Sequence, residues 1–208
     1  AEITSFGRFD SAGAMGAGFA PFVPGAGSEV QQNLELRLPK DRLGDRRTLL
    51  AELDRWRRSI GESPFDPLRE QAFETLLGGV GGAFDLTREA PEVLERYGKH
   101  LWCQQALLAR RLVQAGVTFI TIDLSYHTAS GTWDTHGDNI PPYGGIKNGL
   151  GPLLPLYDHL ITTLVSDLEQ HGLLDKTLVI SMGEFGRTPQ MGTQGSTDGR
   201  NHWPPVMS

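Results

Sequence analysis

Two runs, Val117-Thr118-Phe119-Ile120-Thr121-Ile122-Asp123-Leu124 and Thr177-Leu178-Val179-Ile180-Ser181-Met182, are short, apolar and rich in β-branched residues. Between them Leu153, Leu156, Tyr157, Leu160, Ile161, Leu164, Val165 and Leu168 recur at helical spacing. This order constrains the fold more tightly than anything else in the chain. β-branched side chains are stiff about χ1 and pack well on a pleated surface, so both runs read as buried strands. The stripe over residues 152–170, closed by Gly172, reads as an amphipathic helix. Strand, crossover helix, strand is a βαβ unit with parallel strands and a right-handed connection. The expected class is α/β, with a mostly parallel sheet.

The rest of the chain divides by composition. Residues 1–40 are rich in Gly, Ala and Pro without periodicity and predict irregular structure, with a short strand near residues 34–38. Residues 41–116 are helical in pattern. Leu43, Leu49, Leu50, Leu53, Trp56 and Ile60 make one apolar face opposite Arg46, Arg47, Arg55, Arg57 and Arg58, which predicts a helix ending near Gly61. Acids at Asp45, Glu52 and Asp54 interleave with those arginines, the pattern of a solvated face. A second helix is expected over 67–77 with Pro67 in its first turn, and a third over 97–115, stopped by Gly116.

With 208 residues, 38% of them hydrophobic, the chain can bury one substantial core and is expected to be a single domain. A net charge of −6 provides no positive field for nucleic acid or anionic lipid. Cys103 is the only cysteine, so no internal disulfide can form, and its place in Leu101-Trp102-Cys103-Gln104-Gln105-Ala106 reads as a buried helix position. No stretch reaches the roughly 20 apolar residues of a membrane-spanning helix. The first and last residues predict a fragment of a longer protein, the near end lacking Met and Pro204-Pro205-Val206-Met207-Ser208 stopping as an apolar segment begins.

Polar chemistry gathers after the two predicted strands, where an open parallel sheet binds its ligands. Trp133-Asp134-Thr135-His136 follows the first, and Gly183-Glu184-Phe185-Gly186-Arg187-Thr188-Pro189 follows the second. Gly199-Arg200-Asn201-His202-Trp203-Pro204 comes last. Asp134 and His136, two apart, would face one side of an extended backbone and share a divalent cation. An Asp-capped turn beside a partly buried histidine is the alternative. Asp138 and Asn139 would add oxygens, and His127 lies close enough in sequence to join. Glu184 would be an acidic ligand or the ion-pair partner of Arg187, and His202 a ligand or a core histidine. Trp133 and Trp203 would pack the loops or contact substrate, and His159 and His171 fall on or past a polar helix face.

The segments 182–189, 199–204 and 133–136, with Leu108-Ala109-Arg110-Arg111-Leu112-Val113-Gln114-Ala115-Gly116-Val117, resemble the family called domain of unknown function 1501, which is similar to the sulfatase and alkaline phosphatase superfamily. The resemblance implies a three-layer alkaline-phosphatase-like core, present here in part. It implies a metal site of Asp134, His136, Glu184 and His202 holding zinc, magnesium, manganese or calcium. Arg187, Arg200 and Asn201 would bind the anion of a small-molecule or polysaccharide ester. The superfamily's nucleophile belongs to an early strand that residues 1–40 do not show, so the nucleophile is expected upstream. The same resemblance implies an exported bacterial protein. Two functions stay open: a metal-dependent hydrolase of phosphate or sulfate esters, and a non-catalytic anion- or carbohydrate-binding relative. Glu184-Phe185, standing where the superfamily usually carries Asp-His, favours the second; Asp134, His136, Arg187 and His202 favour the first.

Overall fold

The computed structural model describes residues 12–16, 19–23, 34, 37–59, 67–124, 131, 133–138, 144–183, 186–192 and 195–203. The chain divides into two compact units, Ala1–Asp85 and Leu86–Ser208. The first is built on helix α1 (Lys40–Ser59) and helix α2 (Pro67–Gly78), followed by a 3-10 segment, Val80–Phe84. Asp41 in the first turn of α1 and Arg57 and Arg58 in its last complement the helix dipole. Leu43 is buried, whereas Leu49, Leu53 and Trp56 of the same predicted apolar face lie exposed. Of the strand predicted near residues 34–38, residues 35 and 36 lie outside the described residues, and 34, 37 and 38 enter no strand.

The second unit holds helix α3 (Pro91–Tyr97), helix α4 (Leu101–Gln114) and helix α5 (Leu154–Gln170), with a π-helical segment at Gly145–Leu150. The single helix expected over 97–115 begins instead at Leu101. Gly98 takes φ +80 and ends α3, and the Nδ1 of His100 caps α4 by accepting the Trp102 N–H at 3.2 Å. Both predicted glycine stops are present. Gly116 (φ +93) and Gly172 (φ +65) each sit in a left-handed turn. There Val117 N–H reaches Leu112 O at 2.9 Å and Leu173 N–H reaches Leu168 O at 2.8 Å, satisfying carbonyls that a helix end leaves open.

Trp102, Cys103, Ala106 and Leu107 of α4 interlock with Leu153 and with Leu160, Leu164 and Leu168 of α5, and Tyr97 closes the cluster from α3. Fully burying a leucine contributes about 1.5–3 kcal/mol, so this helical seam is the main source of the unit's stability. A charged hub runs beside it. Asp167, fully buried, accepts from Arg110 Nε at 2.8 Å, Tyr97 Oη at 2.9 Å and Arg96 Nη2 at 2.7 Å. Arg110 Nη2 continues to Glu89 Oε2 at 2.7 Å, and Arg111 bonds the other oxygen of Glu89. Burial pushes the Tyr97 phenol up, and the neighbouring Asp167 pushes it further, so it stays a donor at every ordinary pH.

The parallel α/β core expected from the sequence is not what forms. The described chain is mostly helical, and its strands are the antiparallel pair β1 (Gly186–Arg187) and β2 (His202–Trp203). Residues 117–124 and 177–182 enter no strand ladder among the described residues. Ile122, Leu124 and Val179 pack on the helical core, while Phe119, Leu178 and Met182 are 84–85% exposed. β propensity measures how well a side chain fits a pleated, half-buried surface. It cannot supply the neighbouring strand that creates such a surface, and here only one face of each run is covered. The three-layer, βαβ-containing domain is corrected accordingly.

Candidate functional site

Trp133 anchors the loop that carries the first motif. Its Nε1–H donates to Leu124 O at 2.8 Å, and its ring stacks on Trp102 with centroids 5.6 Å apart and planes at 13°. Tyr157 meets the Trp133 ring at a right angle, with centroids 6.3 Å apart. Trp133 therefore packs the loop onto the core, and Asp134 leaves from a fixed point.

Asp134 Oδ1 accepts the backbone N–H of His136 at 3.0 Å and lies 2.6 Å from His136 Nδ1. This is the Asp-capped turn. Burial pushes the Asp134 carboxyl up, but the N–H and imidazole of His136, with the charge of Arg187, outweigh it and hold it below the usual carboxylate range. An ionised carboxylate at Nδ1 fixes the tautomer: the proton sits on Nδ1 and the lone pair on Nε2. Arg187 Nη1 lies 3.2 Å from that Nε2 and donates to it.

The β1–β2 ladder brings in the other two segments, with Gly186 opposite Trp203 and Arg187 opposite His202. Thr188 extends it, donating its N–H to Asn201 O at 2.9 Å and accepting the Asn201 N–H on Oγ1 at 3.2 Å. The ring of His202 stands 4.6 Å from that of His136, tilted by 53°. Arg200 N–H donates to Thr135 O at 2.7 Å, stitching the ladder to the Asp134–His136 turn. Gly199 permits this approach: a Cβ there would lie 2.2 Å from His136 O and 2.4 Å from Ser196 Oγ. Gly145 is as constrained, at φ +63 with its absent Cβ 1.7 Å from Asp198 Oδ1.

Of the residues expected at the site, Asp134, His136, Arg187, Arg200 and His202 are thus brought together. Asn201 belongs to the ladder, and its Oδ1 accepts the His202 N–H at 2.8 Å. Asp138 is occupied with the N–H of Thr197, at 2.8 Å, and with its hydroxyl, which hold its carboxyl below the usual range. Glu184, Asn139 and His127 lie outside the described residues. His159 is exposed, and His171 Nδ1 bonds the backbone carbonyl of Asp167 at 2.8 Å. The Ser181 hydroxyl meets Tyr157 Oη, a pairing that the sequence reading missed; the position of Ser181 at the end of an apolar run was its one local signal.

Among the described residues no group of three or more His, Cys, Asp or Glu side chains converges, and Glu184, the fourth expected ligand, lies outside them. Asp134 faces Nδ1 of His136 and a guanidinium stands at Nε2. His136 Nε2 can take up a proton, and a guanidinium can pair with an anion.

The sequence model of the family described as "Protein of unknown function (DUF1501)" matches residues 8–208. No curated protein and no solved structure matches the chain. The chain belongs to this family.

Proposed function

We propose that this member of the family binds esters of phosphoric or sulfuric acid at the cluster of Asp134, His136, Arg187, Arg200 and His202, and hydrolyses them. The observation that carries the reading is Asp134 Oδ1 at 2.6 Å from His136 Nδ1, with Nε2 turned toward Arg187 and the His202 ring 4.6 Å from the imidazole. A carboxylate behind an imidazole orients the ring and stabilises its protonated form, the arrangement a general base requires. A guanidinium beside that base binds the substrate's anion and counters the charge that develops on its oxygens. The likeness of the motifs to the sulfatase and alkaline phosphatase superfamily supports the ester class, and export belongs to the same proposal. Glu184 is the remaining expected ligand, and the metal content of purified protein tests whether a cation joins the site.

Arg187 Nη1 at 3.2 Å from His136 Nε2 favours a second reading, a site that binds an anion without catalysis, because a donor already occupies the base. Hydrolysis of nitrophenyl phosphate and nitrophenyl sulfate, by wild type and His136→Asn, separates the two. Turnover that His136→Asn abolishes supports the hydrolase. Binding without turnover, after incubation with zinc, magnesium, manganese or calcium, leaves the binding module.

A further inference from the structure

Arg187 and Arg200 sit in the same cluster but are held differently. Arg187 Nη1 touches His136 Nε2 at 3.2 Å and the carbonyl of Arg200 at 3.4 Å, and its residue pairs with His202 on the ladder. Arg200 is fixed through its backbone alone, its N–H on Thr135 and its carbonyl facing Arg187. Its guanidinium forms no ion pair or hydrogen bond with the described residues, and its Nε is shut off from solvent without an acceptor. A buried N–H with no partner is costly and rare, and a bound anion would supply its acceptor.

We propose that Arg200 is the residue that grips the ligand's tetrahedral oxyanion, and that Arg187 is a positioning residue holding His136. This rests on the anion-binding half of the proposed function. A guanidinium presents Nε–H and Nη–H side by side, a spacing that matches two oxygens of one phosphate or sulfate group. Gly199 and the Thr135 contact fix the Arg200 backbone beside the Asp134–His136 turn, which places the gripped group next to the imidazoles.

The test is calorimetric titration of the full chain with inorganic phosphate, inorganic sulfate, phenyl phosphate and phenyl sulfate. Arg200→Gln should weaken whichever of these binds by about tenfold or more, the scale of a lost charged hydrogen-bond pair, and Arg200→Lys should fall between, keeping charge without the fork. Arg187→Gln should bind within about threefold of wild type while shifting the nitrogen resonances of His136, the signature of a positioning role. Circular dichroism and melting temperature check that each variant folds, and Arg200→Lys keeps the test decisive if Arg200→Gln does not. Undiminished binding by the folded Arg200 variants, no binding of any probe by wild type, or equal losses at the two arginines overturns the proposal. Nitrophenyl ester assays on the same samples separate the two levels. Binding lost in Arg200→Gln with no turnover in wild type overturns only the hydrolase; turnover with binding insensitive to Arg200 overturns only this assignment. Preference for the phenyl esters over the inorganic ions identifies an esterified ligand.

Discussion

Asp134 uses one oxygen for two bonds to His136, and the consequences fall on single residues. Asp134→Ala should leave the imidazole free to rotate and change tautomer. Turnover by the proposed hydrolase should drop by about 10²-fold or more with little change in ligand affinity, measured as separate kcat and KM. Gly199→Ala should act in the opposite manner. The new Cβ meets backbone, which cannot swing aside as a side-chain tip can, so the Arg200–Thr135 contact must open. A loss of about 1–3 kcal/mol in urea unfolding and weaker anion binding together are the expected result. The sequence reading joined the site's segments at the carboxyl ends of two parallel strands, which do not form; the β1–β2 ladder and the Arg200–Thr135 contact bring Asp134, His136, Arg187, Arg200 and His202 together instead. The Asp134–His136 hydrogen bond was legible only as an alternative, because a spacing of two suits both an extended ligand pair and a capped turn.

At the scale of elements, helices α4 and α5 are joined by a charged hub within an apolar seam. Asp167→Ala strands Arg110 in the interior and should cost about 3–5 kcal/mol in chemical denaturation, while adding Arg110→Met should recover part of that loss. Glu89 makes the hub sensitive to acid. Burial pushes its carboxyl up, but hydrogen bonds and charge from Arg110 and Arg111 bring it below its ordinary value of 4.5. Because the folded value is the lower one, its stabilisation is complete above the unfolded value and is lost as pH falls through the folded value. The stability difference between wild type and Glu89→Gln should therefore be flat near neutrality and shrink below about pH 4.5, read from urea midpoints across a pH series. Helix stops were readable because capping is local: Gly116 and Gly172 act within one turn, whereas the break at Gly98 and the His100 cap were not read. Residues 117–124 and 177–182 misled because strand formation depends on a distant neighbour, and because alternation of buried and exposed positions was masked by apolar residues on both faces.

Across the whole molecule, Phe119, Leu178, Ile180 and Met182 keep contact with water in the folded state, Ile180 at 68% exposure. Apolar surface of this kind binds hydrophobic dyes. Leu178→Lys should lower dye fluorescence and concentration-dependent light scattering while changing stability by less than about 0.5 kcal/mol, because no packed neighbour is lost. No helix among the described residues is long and apolar enough to cross a membrane. The exposure of these side chains also carries a calorimetric signature. Heat capacity rises on unfolding because apolar groups become hydrated, and groups already hydrated add nothing. A chain of 208 residues would ordinarily give about 2.5–3.1 kcal/mol/K summed over its transitions. This one should fall short of that range, and its free energy of unfolding should change more gently with temperature, flattening the approach to both heat and cold denaturation.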